Sequence, residues 1–140
     1  MPILSREQAA ELIEPFYNLF RWNRRDWEAG FAVLSDSWRS YYTNVDYRTR
    51  EETRPYIAGL FELVPDIDVE ILDLQVADDT IVVRTELSGT PAKDFMVPHS
   101  GRRFHIMTID LHRVENGKIV ELHHLEDWGT AIKQLTGAEK

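Results

Sequence analysis

The sequence predicts an α+β fold: three helices in the N-terminal half packed on a strongly curved, mostly antiparallel sheet. Three observations carry this. Apolar residues recur at helical spacing in three early stretches, and from Asp66 the period changes to two. An Asn116-Gly117 pair then joins two long alternating runs, the strongest short-range hairpin signal.

Ser5-Arg6-Glu7-Gln8 fits a capping box, and Ala9, Leu12, Ile13, Phe16, Leu19 and Phe20 follow at helical spacing. They predict a helix over about residues 6–21, kinked by Pro15, whose ring removes a backbone bond. Asp26 caps a second, short helix with Trp27, Phe31 and Leu34 as its apolar face. Residues 37–44 are aromatic and alternating, as in a short strand, and Asn44 to Tyr47 read as a loop. Thr49 with Glu52 fits a further capping box, or Thr53 caps with Pro55 in the first turn; Tyr56, Leu60, Phe61 and Val64 form a stripe, and Pro65 ends the third helix. Ile67, Val69 and Ile71 share one parity while Leu72, Leu74 and Val76 share the other, so a bulge is expected near 71–72. Asp78-Asp79 turns the chain into a strand over Thr80–Ser88. A 13-residue connection, Gly89 to Gly101, is long enough to be a lid or rim, with Phe95 and Met96 apolar enough to close over a ligand. After the hairpin, Trp128 to Leu135 reads as a short helix and the last residues fray.

Length and composition narrow the function. At 140 residues, with 43% hydrophobic residues and no repeat or linker, the chain is expected to be one domain over residues 1–140. A net charge of −8 argues against nucleic acid as a partner. No apolar run approaches a membrane span, and the first residues lack a signal-peptide pattern. With no cysteine there is no disulfide framework or thiolate metal site, so a cytoplasmic location is the default expectation.

The hairpin carries the candidate chemistry. Four of the five histidines lie between Gly101 and Trp128, among Asp110, Glu121, Glu126 and Asp127. Polar groups in mid-strand need a reason, because burying them unpaired is costly. With a two-residue turn at Asn116-Gly117, Glu115 faces Lys118 and Asp110 faces His123, unless a bulge shifts the pairing beyond it by one residue. One face then carries Phe104, Ile106, Thr108, Asp110, His112 and Val114 with Ile119, Glu121, His123, Leu125 and Asp127. The other carries His105, Met107, Ile109, Leu111 and Arg113 with Lys118, Val120, Leu122, His124 and Glu126. The first is mixed, as expected of a polar site in an apolar pocket, and the second suits packing or a partner subunit. His112, close to the turn, is expected to be exposed. Helices in the concavity of a curled sheet would leave a pocket, with Phe16, Phe20, Trp38, Tyr42 and Phe61 placed to line it.

Several motifs together resemble the SnoaL-like polyketide cyclases. Phe16-Tyr17 followed by Trp22-Asn23-Arg24-Arg25-Asp26 matches that family's opening. The loop from Asp94 to Arg103 matches its proline- and glycine-containing loop. Ile109-Asp110-Leu111-His112-Arg113-Val114 and Asn116-Gly117-Lys118-Ile119-Val120-Glu121 match its central hairpin. The resemblance covers nearly the whole chain in order. It implies the nuclear transport factor 2-like fold, a cone of one curved sheet and three helices, commonly dimeric and working without a metal. It also implies a general acid/base aspartate on the last strand, matched here by Asp127. Where the family has Glu-His-Trp, this chain has Glu121-Leu122-His123.

The expectation is therefore a cofactor-independent enzyme, with no metal, acting on a small apolar carbonyl compound such as a polyketide by aldol cyclisation or isomerisation. A carboxylate in an apolar pocket has its pKa raised and becomes a usable base near neutral pH. Asp127 would be that group, with His123 and Asp110 assisting, and Phe95, Phe104 and Leu125 would join the aromatic residues around the substrate. Asp127 capping the helix that starts at Trp128 is the structural alternative for that residue. A non-catalytic small-molecule-binding or dimerisation module is the alternative for the protein. A homodimer through the sheet is expected from the apolar outer face.

Overall fold

The computed structural model describes residues 4–138, and among them four helices pack on one six-stranded sheet. Helix α1 (Arg6–Asn18) opens with the expected capping box: Gln8 N–H donates to Ser5 Oγ, and Ser5 N–H donates to the Gln8 side chain. Pro15 lies inside it. The helix ends before residue 21 because Leu19 and Phe20 N–H bond to Phe16 and Tyr17 carbonyls, tightening the last turn. Helix α2 (Trp27–Ala32) is capped by Asp26, which accepts from Ala29 N–H at 3.1 Å. It approaches α1 at Gly30, where a Cβ would lie 2.4 Å from Leu19.

Strand β1 (Leu34–Tyr41) pairs antiparallel with β2 (Tyr47–Thr49). The expected loop from Asn44 to Tyr47 thus ends one residue early, in a strand too short to show a period. Helix α3 (Arg50–Leu63) has the Thr49/Glu52 capping box. Strands β3 (Asp68–Ala77) and β4 (Thr80–Gly89) pair antiparallel, and their register shifts between Ile71 and Asp73, so Leu72 is the expected bulge. Strands β5 (Phe104–Glu115) and β6 (Lys118–Glu126) meet at a turn in which Asn116 and Gly117 both have positive φ, 52° and 75°. Helix α4 (Trp128–Thr136) ends at Gly137 in the left-handed conformation. The final residues expected to fray include 139–140, outside the described residues.

The sheet order is β2-β1-β6-β5-β4-β3, with β1 and β6 parallel and every other pair antiparallel. The result is the predicted α+β cone, an open curved sheet with helices in its concavity. Ile13, Leu19, Trp38, Ile57, Ile67, Ile81, Val83 and Ile119 fill the space between them and are almost completely buried. Among the described residues no helix is long and apolar enough to cross a membrane.

One irregularity decides which residues reach the concave face. Glu115 pairs with Lys118 and Val114 with Ile119, as expected, but Arg113 then pairs with Glu121. Val120 is the extra residue, and beyond it every β6 side chain is on the opposite face from a regular hairpin. Asp110 faces His124 rather than His123, and Leu111 faces His123. Concave-side positions are therefore Thr108, Asp110 and His112 of β5 with Leu122, His124 and Glu126 of β6.

Candidate active site

A cavity lies between α1, α3 and the concave face of the sheet. Phe16, Phe20, Trp38, Leu60, Val69, Leu87 and Leu122 make its walls largely apolar. Tyr17, Asp110, His124, Glu126 and Arg48 bring polar groups to it.

Asp110 is the carboxylate at its base, only 6% exposed. The Tyr17 hydroxyl donates to Asp110 Oδ2 at 2.5 Å, leaving Oδ1 for a ligand. The same hydroxyl lies 2.9 Å from His112 Nε2. A phenol donating its one proton to Asp110 must accept from His112, so ionised Asp110 fixes the Nε2–H tautomer. His112 Nδ1 is then an acceptor with no partner among the described residues, buried with the rest of the ring. Burial raises the Asp110 pKa to about 6; the Tyr17 hydrogen bond and His124 oppose this, and Glu126 adds to it. Burial holds His112 down at about 3, so it is a neutral imidazole at any ordinary pH. The Tyr17 phenol is raised well above its usual value by burial and the adjacent Asp110 charge, so it stays protonated.

The second polar pair is His124 and Glu126, with Nδ1 to Oε1 at 2.7 Å. Burial alone would lower the His124 pKa, but the hydrogen bond and charge of Glu126, aided by Asp110, raise it overall. Its Nε2 has no protein partner among the described residues. Nearby, Thr85 and Thr108 hydroxyls bond to each other at 2.5 Å. Trp38, 1% exposed and part of the cavity lining, has an indole N–H without an acceptor among the described residues.

Of the residues expected here, Asp110, Phe16, Phe20 and Trp38 line the cavity, and the others are elsewhere. The expectation that Asp127 opens into the pocket is corrected. It is exposed and caps α4, accepting from Thr130 N–H at 3.1 Å and Thr130 Oγ1 at 2.6 Å, and these bonds lower its pKa. His123 is likewise on the convex side, its ring stacked on Tyr41 at 4.6 Å. Leu125 is also outside, 72% exposed. All three placements follow from the Val120 bulge. Tyr42 is exposed beside Arg48, and Phe61 packs beneath the Arg25 guanidinium, so neither lines the cavity. Phe95 and Phe104 pack with Trp128 against each other, anchoring the long loop to α4 rather than to the cavity. His112, expected to be exposed, is fully buried because Phe16 and Tyr17 of α1 cover it.

Tyr17, His112, His124, Glu126 and Arg48 are the site groups that sequence reasoning missed. The inward parity of His112 was legible, since it shares a face with Asp110. The contact with Tyr17, 95 residues away in the chain, was not.

A family model described as a SnoaL-like domain matches residues 13–122. No curated protein matches the chain significantly. Among solved structures the chain is similar to TsrD from Streptomyces laurentii, with 27% identity, TM-score 0.79, and 94% of this chain and 97% of that one covered. It is similar to IdmH from Streptomyces antibioticus, a candidate polyketide cyclase, at 24% identity and TM-score 0.81 over 92% of this chain and 99% of that one. A candidate SnoaL-like polyketide cyclase from Jannaschia sp. CCS1 is 21% identical, with TM-score 0.80, over 97% and 95% of the two chains. The last two likenesses speak for the fold alone.

Proposed function

The chain belongs to the SnoaL-like family, and from that premise we propose that it is an enzyme performing general acid/base chemistry on an apolar carbonyl compound of polyketide type, with Asp110 as the base. The observation that carries this is a buried carboxylate in an apolar cavity, held by Tyr17 and with a pKa near 6. Such a group is largely ionised at neutral pH, yet basic enough to take a proton from carbon.

In this reading Asp110 Oδ1 removes a proton from the carbon next to a carbonyl. The electrons move into the carbonyl oxygen, and the enolate oxygen is met by the Nε2–H of His124 in its protonated form, which the Glu126 hydrogen bond and charge favour. In an aldol closure the enolate carbon attacks a second carbonyl of the same molecule, forming the ring bond. The new alkoxide takes the proton back from Asp110, restoring the base. In an isomerisation Asp110 returns the proton to a different carbon. Tyr17 keeps Oδ2 occupied, so one oxygen does the chemistry. His112, fixed neutral, orients Tyr17.

Membership of the SnoaL-like family, whose polyketide cyclases the sequence motifs resemble, supports the carbonyl substrate class. A homodimer through the convex face is part of the same reading, supported by exposed Met107, Ile109, Leu111 and Leu125. The enzyme reading is tested without knowing the natural substrate. Exchange of the α-protons of 2-tetralone in heavy water, followed by NMR, is expected to be accelerated by the protein and not by Asp110→Asn. Equal exchange with both proteins would remove the base role.

A further inference from the structure

Besides the phenols of Tyr17 and Tyr56, four ionisable side chains line the cavity: Arg48, Asp110, His124 and Glu126. Three are engaged. His124 pairs with Glu126 at 2.7 Å, and Asp110 accepts from Tyr17. Arg48, half-buried in β2, forms no ion pair among the described residues. Arg21, Arg103 and Arg113 form ion pairs and the other arginines form none among the described residues; what sets Arg48 apart is its place in the cavity wall.

The surroundings of Arg48 orient it without neutralising it. Its guanidinium lies 3.6 Å from the Tyr56 ring centroid and 4.5 Å from that of Tyr42. Aromatic stacking engages the face of the guanidinium plane and leaves its edge N–H donors free, a fork that matches the two oxygens of a carboxylate. Tyr56 lines the same cavity. The chain as a whole carries a net charge of −8, so a guanidinium in the cavity wall with no ion pair among the described residues is the local group that can draw an anion in, although Glu52 lies within reach of its charge.

We propose that Arg48 makes this cavity selective for carbonyl compounds that also carry an ionised carboxylate, the carboxylate seated on the guanidinium edge and the reacting carbon at Asp110. This rests on the reading of the cavity as the substrate site. The substrate class becomes aromatic or polyketide-type keto acids rather than their esters. A bidentate, partly desolvated carboxylate–guanidinium contact is strong enough to favour an acid over its methyl ester by about tenfold or more.

The test compares 2-naphthoate with methyl 2-naphthoate by titration calorimetry at neutral pH. Native protein is expected to bind the acid about tenfold tighter or better. Arg48→Met is expected to bring the two to parity, and Arg48→Lys, which keeps the charge but loses the fork, to retain part of the preference. Thermal melts establish that each variant is folded, and the acid-against-ester comparison on native protein needs no variant. Equal binding of acid and ester by native protein, a preference that survives in folded Arg48→Met, or saturable binding of neither probe would each overturn the proposal. Asp110→Asn separates the two readings, since it is expected to abolish 2-tetralone exchange while the preference for 2-naphthoate remains.

Discussion

Tyr17 donates its phenolic proton to Asp110 Oδ2 across 2.5 Å, joining α1 to the middle of β5. The contact sets the working pKa of the carboxylate, because burial raises it and this hydrogen bond is the main force lowering it. With both Tyr17 and His112 enclosed, neither alternates with solvent, so one protonation pattern is built into the core.

Tyr17→Phe is therefore expected to move the Asp110 pKa further up from about 6. The rising limb of a pH–rate profile should shift to higher pH, with lower turnover at neutral pH. His112 Nε2–H also loses its acceptor, which costs about 1–3 kcal/mol of stability. A profile unmoved by Tyr17→Phe would mean that Asp110 is not the group titrating in catalysis.

Asp110→Asn is expected to lower turnover by about 10²–10⁴-fold, the usual worth of a positioned base. It should also stabilise the protein at neutral pH by up to about 2–3 kcal/mol, because the native state no longer ionises a buried carboxyl. Chemical denaturation of the two proteins measures the difference. A loss of both turnover and stability would point instead to a structural role for the carboxylate.

The element order, both capping boxes, the Leu72 bulge and the inward face of β5 were legible because each follows from local spacing. The Val120 bulge was not. It sits in the apolar run Ile119-Val120 with no glycine or proline to mark it, and what selects it is pairing with β5 and with β1 on the other side. One residue of slip exchanges His123 for His124 and Asp127 for Glu126, so half the site was misassigned by a feature three to seven residues away. The family motifs place the fold well, but they leave side-chain direction to that bulge.

Asp110 and His112 pull acid stability in opposite directions. Asp110 has a raised pKa, so its contribution favours the native state fully below the ordinary 3.8 and is lost as pH rises through about 6. His112 has a lowered pKa, so its contribution is present above the ordinary 6.5 and is lost as pH falls toward about 3. Between about 4 and 6 the two slopes nearly cancel. Asp110→Asn should uncover the His112 slope, up to about 1.4 kcal/mol per pH unit of lost stability on acidification. Urea unfolding across that window reads it, and parallel curves for variant and native protein would contradict the cancellation.

Glu126 and Asp127 are adjacent carboxylates with opposite assignments, and paired variants separate them. Asp127 caps α4, whose Trp128 packs on Phe95 and Phe104, so Asp127→Ala is expected to lower Tm by a few degrees and leave turnover unchanged. Glu126 favours the protonated form of His124, which lies beside Asp110 on the neighbouring strand. Glu126→Gln removes that charge, the His124 pKa falls, and the donor for the enolate oxygen is lost over more of the neutral range. Turnover should drop about tenfold or more in kcat with KM little changed, because the donor is used as charge develops rather than on binding. Loss of turnover in Asp127→Ala with an unchanged melt would return the catalytic role to the residue that the family resemblance favours, and would require the end of β6 to rearrange when substrate binds.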